Sequence, residues 1–586
     1  MFKLFKNFTK KDIGMIIVSI VLVVFQVWLD LKLPDYMSAI TRLVQTDGAA
    51  MADILRQGGY MLLCAFGSLI SACIVGFLAS NLSANFSYTL RSKVYNKVLN
   101  LSTAEVKQFQ TSSLITRTTN DITQLEMLIS IGLQLLIKAP IMAVWAITKI
   151  LNKSIEWSML TAGCVVILLC VVIGLMLIVL PRFEKVQKLI DKINNVTRES
   201  ITGIRVIRAF NAEKYQENRF EKVNDDLTNM QLFNQKCFAI LNPIMMLVMN
   251  GLTLGIYAIG TYLINNAIIS VKISLFSDMV IFSSYGIQVI MSFLMLAMIF
   301  MMWPRAQISA RRISEVLDCK VSIKDGKDDI KPTEVGTVEF KNVSFKYPDA
   351  DEYLLRNISF KVNKGETIAF IGSTGSGKSS LINLVPRFYD ATDGEVLVDG
   401  VNVKNYSLEE LHNKLGYIPQ KAVMFTGTVK SNVAYGTKKG KKPSDKKVSE
   451  AINIAQAEEF VSKMEGGLDA HIARGGTNVS GGQKQRLAIA RSIARDPEIY
   501  IFDDSFSALD YKTDATLRSE LKKYTKDATS MIVAQRIGTI INADKIVVLD
   551  KGTCVGIGTH QELLKNCEVY KEIALSQLSK EELENA

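Results

Sequence analysis

The chain has 586 residues, of which 48% are hydrophobic and 21% charged, with 68 Lys and Arg against 57 Asp and Glu for a formal net charge of +11. That length excludes one ordinary core, so at least two domains are expected. Long uncharged runs all precede about residue 305 and charges crowd the remainder, so the basic excess reads as membrane topology and excludes a nucleic-acid surface.

Six apolar runs, near 13–34, 58–84, 127–150, 157–180, 238–264 and 279–303, are each long enough to cross a hydrocarbon core of about 30 Å. The fourth and sixth carry no charge; the first holds Asp30 and Lys32 near its end, and the third contains Lys138. An even number of spans puts the amino terminus and the soluble half on one side. Lys3, Lys6, Lys10 and Lys11 precede the first run, and Arg182, Lys185, Lys188 and Lys192 follow the fourth, a positive-inside pattern that makes that side the cytoplasm. The first run is of span length without a small-residue cleavage site, so it reads as an insertion signal that stays. Eight cysteines are scattered without a CxxC pair, four of them (Cys64, Cys73, Cys164, Cys170) inside predicted spans; they read as small apolar packing residues, not as a disulfide or zinc framework.

Between the second and third runs (about 85–126), and between the fourth and fifth (about 182–237), lie polar segments too long for turns. Leu101-Ser102-Thr103-Ala104-Glu105 offers a helix start of the Ser/Thr capping type, and Arg205–Glu213 reads as a charged helix reaching a break near Asn211. In the sixth run Met291, Met295, Met298 and Met302 recur at helical spacing beside Phe293, Phe300 and Trp303. Such a stripe either lines an adaptable apolar cavity or packs against neighbouring helices. Lys138, with Gln134 one turn before it and Pro140 after it, is an ionisable group within a span. Substrate or anionic-lipid contact and a structural ion pair both fit it.

These features give a membrane domain over 1–305, a polar, turn-rich linker over 306–335 and a soluble domain over 336–586. Short β-rich runs at Val338–Val343, Ile358–Val362 and Thr367–Ile371, then alternating helices and strands, mark an α/β fold. Lys438–Lys447 reads as a solvated surface loop.

Strand Thr367–Ile371 runs into Gly372-Ser373-Thr374-Gly375-Ser376-Gly377-Lys378-Ser379-Ser380. This is G-x-x-x-x-G-K-[ST] in its strand-to-helix context. Glycines let backbone N–H groups wrap phosphates, Lys378 neutralises the β/γ oxygens, and Ser379 offers a hydroxyl to Mg2+. The apolar strand Glu498–Phe502 ends in Asp503 and Asp504, and Asp503 suits the Mg2+-bound water of a P-loop enzyme. Tyr347 precedes the P-loop at a distance suited to stacking on adenine, although a strand aromatic is the commoner reading.

Val479-Ser480-Gly481-Gly482-Gln483-Lys484-Gln485-Arg486 resembles the ABC signature LSGGQ-x-QR. With it the whole chain resembles the ABC transporter family: a membrane all-α six-helix domain followed by an α/β P-loop ATPase domain, laid out as an exporter half-transporter. The resemblance implies ATP and Mg2+ as ligands and a head-to-tail dimer in which Ser480, Gly481, Gly482 and Gln483 face the partner's nucleotide. It makes Gln420 the Q-loop residue near the metal, alongside Ser379 and Asp503, and Ser507-Ala508-Leu509-Asp510 the D-loop. It also makes the two polar segments coupling helices near 102–110 and 211–219. Ile472–Gly476 lacks the glutamate usual before the signature, and the histidines His412, His471 and His560 do not fill the switch position. His560 matches a common structural segment of the family.

Two positions depart from the family pattern. Asp504 stands where a glutamate polarises the attacking water, and Gln535 where a histidine contacts the γ-phosphate. A carboxylate one methylene shorter is misplaced by about an ångström, which costs on the order of a hundredfold in rate, and an amide has no titratable proton. Asp504, Gln535 and Gln420 are the candidate catalytic set. The pattern resembles the degenerate-site subunit of heterodimeric bacterial multidrug ABC exporters, which implies a second half-transporter as partner, an amphipathic small-molecule or lipid-like substrate and residence in a bacterial cytoplasmic membrane. A homodimeric lipid or peptide exporter and a membrane regulator that only binds ATP are the alternatives.

Overall fold

The computed structural model describes residues 2–578 apart from 7, 47, 152–154, 327–331 and 437–439, and, of side chains within described helices, not those of residues 2, 184, 269, 270, 300 and 301. Parts of the 306–335 linker and of the 438–447 loop, and the Phe300 side chain, therefore lie outside the described residues. The chain divides into two compact units, one of Met1–Leu99 with Thr111–Cys319, the other of Asn100–Gln110 with Lys320–Ala586.

In the first unit, six long helices run Lys10–Val44, Met51–Leu99, Asn120–Leu151, Ile155–Thr202, Glu213–Asn266 and Ile269–Asp318. Among the described residues six helices are long and apolar enough to cross a membrane. The fifth is 54 residues long, about 80 Å at 1.5 Å per residue, so these helices far exceed the apolar layer. All but the second carry an internal proline: Pro34, Pro140, Pro181, Pro243 and Pro304. Each removes one ladder hydrogen bond, which neighbouring helices make tolerable in a membrane bundle. The bundle core gathers Val27, Leu31, Trp157, Leu252, Phe282 and Tyr285. A Cβ on Gly260 would meet Met279 and Trp157 side-chain atoms within 3.3 Å, so glycine is what lets the fifth helix approach that closely.

Three expectations are refined here. The sixth helix continues past 305 to Asp318, because the polar stretch hides a buried stripe, Ala306, Ala310, Ile313 and Val316, at helical spacing. The second short element is Ile204–Ala209, not 211–219; Asn211 adopts φ +50° and Glu213 opens the fifth long helix. Met291 and Met298 are exposed, and Met295 and Met302 half-buried, so the methionine stripe does not build this chain's own bundle core.

Lys138 forms an ion pair with Asp30, Nζ to Oδ2 3.0 Å, and Ser68 donates to the other oxygen of Asp30 at 2.5 Å. Five residues along the first long helix Asp35 accepts from Lys149 at 2.8 Å and from the Tyr285 hydroxyl at 2.7 Å. The structural ion pair is thus the arrangement adopted, as expected of ionisable groups held at membrane depth.

In the second unit an antiparallel sheet of order β2-β1-β4-β5 faces a mostly parallel one of order β12-β11-β3-β10-β9-β6. The first uses β1 (Val338–Phe345), β2 (Leu355–Val362), β4 (Asp393–Val398) and β5 (Val401–Asn402). The second uses β3 (Thr367–Gly372), β6 (Leu415–Ile418), β9 (Ile499–Asp503), β10 (Thr529–Val533), β11 (Lys545–Asp550) and an antiparallel edge, β12 (Thr553–Gly558). A small ribbon pairs β7 (Gly427–Thr428) with β8 (His471–Ile472). Phe340, Phe360, Phe370 and Leu381 fill the core between the sheets. β9, β10 and β3 are buried on both faces, which is why they read as continuous apolar runs. A parallel sheet gathers functional loops at the carboxyl ends of its strands, and Gly372, Asp503 and Val533 end three adjacent strands.

Candidate functional site

The loop after β3 closes on a five-residue helix, Lys378–Ile382, whose N-cap Gly377 sits at φ +94° with no room for a Cβ beside Leu355. At Gly372 a Cβ would overlap the Leu549 carbonyl. Lys378 is 9% exposed and donates to the carbonyls of Gly372 at 2.9 Å and Ser373 at 2.8 Å. Its ammonium thus lies curled inside the loop that would wrap phosphates. Burial lowers its pKa, with Asp504 and Asp503 acting in the opposite direction.

Ser379 donates its hydroxyl to Asp503 Oδ1 at 2.6 Å. Two hard oxygens brought together from the loop and the end of β9 are the donor type that Mg2+ takes alongside phosphate oxygens and water, so the residues present fit the metal. Burial raises the Asp503 pKa and the neighbouring Asp504 adds to it, against hydrogen bonds from Ser379 and Tyr417. A cation here would relieve that penalty.

Asp504 follows in the left-handed region, φ +47°, and is 7% exposed. Its Oδ2 accepts from Gln535 Nε2 at 2.9 Å and from Gln420 Nε2 at 3.3 Å. The three candidate catalytic residues therefore meet at one oxygen. Burial raises the Asp504 pKa, with Gln420 foremost among the groups that oppose it. A shallow depression beside them is lined by Asp504, Ser507, Gln535, Arg536 and Thr539.

Tyr347 lies against the P-loop helix, its hydroxyl 2.8 Å from Ser380 Oγ and its ring in T-shaped contact with Tyr389 and Phe345. The signature forms a separate group. Ser480 caps the fifteen-residue helix Gly481–Arg495 through a reciprocal pair, Gln483 N–H to Ser480 Oγ at 3.3 Å and Ser480 N–H to Gln483 Oε1 at 2.9 Å. Ser480 and Gly481 are exposed. Among the described residues no hydrogen bond joins Ser480 or Gln483 to the P-loop. Buried Gln485 donates to the Pro419 carbonyl at 3.2 Å, tying the signature helix to the segment that carries Gln420.

Three residues at the site escaped the sequence reading. Gln577 brackets the switch segment, donating to the Gln535 carbonyl and accepting from the Ile537 N–H, both at 2.8 Å. Tyr417 hydrogen-bonds Asn383 at 3.1 Å and supports Asp503. Lys107 places its ammonium 5.4 Å from the Tyr347 ring centre. Only Tyr417, beside the Q-loop, had a local signal. His560, expected to be structural, is 3% exposed with Nδ1 2.6 Å from the Tyr570 hydroxyl.

A P-loop, an acidic strand end, a glutamine loop and a helix-capping S-G-G-Q on one α/β unit, in a chain with six membrane-length helices, define an ATP-driven membrane transporter subunit. The comparisons agree. Residues 16–293 match the ABC transporter transmembrane region and 355–507 match the ABC transporter family. The chain is 37% identical over 554 residues to an uncharacterized ABC transporter ATP-binding protein of Mycobacterium tuberculosis, covering 92% of this chain and 93% of that protein. It is 31% identical to a putative multidrug export ATP-binding/permease protein of Bacillus subtilis, covering 83% of each. It is 30% identical to an ATP-dependent lipid A-core flippase of Mannheimia succiniciproducens, covering 86% of this chain and 85% of that one. A bacterial Atm1-family ABC exporter with ATP bound has the same fold, with TM-score 0.82 at 24% identity over 96% of this chain and 99% of that one. The chain belongs to the ABC transporter family and is a multi-pass cytoplasmic-membrane protein with its ATPase domain in the cytoplasm.

Proposed function

We propose that this chain is the degenerate-site subunit of a heterodimeric exporter for amphipathic drugs or lipid-like compounds. Its own site binds MgATP through the P-loop residues Gly372 to Ser380, with Ser379, Asp503 and Gln420 around the metal and Tyr347 under the adenine. Its signature residues Ser480, Gly481, Gly482 and Gln483 complete the partner's site. The observation that carries the reading is the double amide contact on Asp504 Oδ2. A general base needs a free lone pair aimed at the attacking water, and here the shortened carboxylate spends one oxygen on two glutamine donors. The Ser480 hydroxyl, by contrast, accepts within its cap and keeps its own proton for a partner's γ-phosphate, a preorganised donor of the kind that stabilises phosphoryl transfer.

The substrate class rests on the exposed Met291 and Met298, soft side chains that repack around differing apolar shapes, and on relatives named for multidrug export and for lipid A-core flipping. The test is ATPase and vesicle efflux measured on the chain alone and on the chain copurified with candidate half-transporters. Slow turnover alone and substrate-stimulated turnover in one pairing is the expected result. Fast turnover by the isolated homodimer overturns the heterodimer reading, and a complex that hydrolyses ATP yet moves neither dyes nor lipids overturns the exporter reading.

A further inference from the structure

The segment Asn100–Gln110 belongs by sequence to the first cytoplasmic loop of the membrane half, yet it is part of the compact unit that holds the ATPase fold. Its helix Thr103–Phe109 starts with a Ser102/Glu105 capping box. Ala104 packs on the core between the sheets. Glu105, 7% exposed, accepts the backbone N–H groups of Ser102 at 2.7 Å and Ser322 at 3.3 Å. The backbone of this helix is thus fixed on the domain, and it carries Lys107 to a defined place.

That place is an aromatic pair. The Lys107 ammonium lies 5.4 Å from the Tyr347 ring centre and 5.8 Å from that of Tyr389, the two rings standing at 90° with centres 5.2 Å apart. Phe345 meets Tyr347 edge-on at 5.0 Å, and the Tyr347 hydroxyl is tied to Ser380. The hydroxyl is therefore engaged by the domain itself, and the ammonium, lying over the rings, draws on their electron-rich faces. A purine base stacking on Tyr347 draws on that same ring.

We propose that Lys107 is a base sensor: its ammonium holds Tyr347 in the nucleotide-free state, adenine displaces it, and the displacement loosens the tip of the first cytoplasmic loop on the ATPase domain. Lys107 is a positioning residue that acts through Tyr347. The proposal deepens the reading of Tyr347 as the adenine platform and rests on it, but not on the degenerate-site assignment. Competition confined to the base has a signature that a general electrostatic role lacks, because a cation that merely attracted phosphate would favour every triphosphate alike.

The experiment uses the full chain in lipid nanodiscs with Mg2+, and measures the Kd of ATP and of inorganic tripolyphosphate. Lys107→Met keeps the stem and removes the charge. It is expected to tighten ATP by about two- to fivefold with tripolyphosphate unchanged; Lys107→Arg is expected to behave as the parent, and the effect of Lys107→Met to vanish in a Tyr347→Leu background. Amide exchange across Thr103–Phe109 should rise on adding ATP but not tripolyphosphate. Equal weakening of both ligands by Lys107→Met, or unchanged ATP binding in that variant while Tyr347→Leu alone weakens ATP, overturns the sensor and leaves the platform standing. If Tyr347→Leu leaves ATP affinity unaltered, the platform reading falls and the sensor falls with it.

Discussion

Gln535 donates its side-chain amide to Asp504 Oδ2 at 2.9 Å, the oxygen that Gln420 also reaches. That contact makes two substitutions informative. Asp504→Glu extends the carboxylate by one methylene, and Gln535→His removes one amide donor and restores a group able to carry charge. Each is expected to raise turnover at this site by about tenfold, and the pair by about a hundredfold. The measurement is single-site ATPase in a complex whose opposing P-loop lysine has been replaced. No gain from the double variant would mean that something other than the carboxylate's reach and the Gln535 amide limits this site. Because Asp504 sits at φ +47°, where Asp is better tolerated than most residues, Asp504→Glu should also lower stability by about 1 kcal/mol.

The same strand end depends on a residue near the chain's carboxyl end. Gln577 satisfies both the Gln535 carbonyl and the Ile537 N–H. Gln577→Ala leaves the two backbone groups without that partner, at a local cost of about 1 kcal/mol. The Ile537 amide should then exchange about fivefold faster, with global unfolding unchanged. An unaltered exchange rate would show that the switch segment is held by its strand alone.

Much of this site was legible because its signals are local. The P-loop, the paired aspartates, the Ser102/Glu105 helix start and the signature around Ser480 each lie within a few residues, where helix starts and strand ends impose fixed spacings. The six spans were legible because length and apolarity are additive along a helix. What stayed hidden is held together across the chain. Asp30 with Lys138, Lys107 with Tyr347 and Gln577 with Gln535 meet only after the fold is complete, and no periodicity announces a partner so distant. The polar run 305–318 misled for a related reason: its buried stripe is narrow and half alanine (Ala306, Ala310, Ile313, Val316), and charged neighbours mask it in the composition.

The pair Asp30–Lys138 carries a prediction for the membrane half. With the Asp30 side chain 19% and the Lys138 side chain 17% exposed, removing one partner leaves a charge with poor solvation. Lys138→Met should destabilise the protein by about 2 kcal/mol, less than the ~3–5 kcal/mol of a fully buried pair. The reversed pair Asp30→Lys with Lys138→Asp should recover most of it. Thermal unfolding in detergent reads the stability, and vesicle efflux of cationic, neutral and anionic dyes reads transport. A uniform fall in transport is the result expected of a structural pair, whereas selective loss of the anionic dye would return Lys138 to substrate contact.

Acid should weaken the ATPase domain through two histidines. His560 is buried against Tyr570, and His412 sits 2.8 Å from the Pro386 carbonyl. Burial lowers the pKa of both below the ordinary 6.5. A depressed value means the unfolded chain binds the proton more readily than the folded one. The stability each neutral ring contributes is therefore present above about pH 6.5 and lost as pH falls through the lower folded value. Melting temperature should drop between about pH 7.5 and about pH 5.5. In His560→Gln, which carries no titratable ring, the protein should be less stable at the higher pH, yet the drop should be smaller by a few degrees. His412→Gln should narrow it independently, since the two sites share no contact. A drop of undiminished size in the double variant would place the acid sensitivity outside these two rings, though not at Glu105. Burial raises the Glu105 pKa, but hydrogen bonds from Ser102 and Ser322 outweigh it and leave it low, so its contribution fades only as pH falls through a value below 4.5.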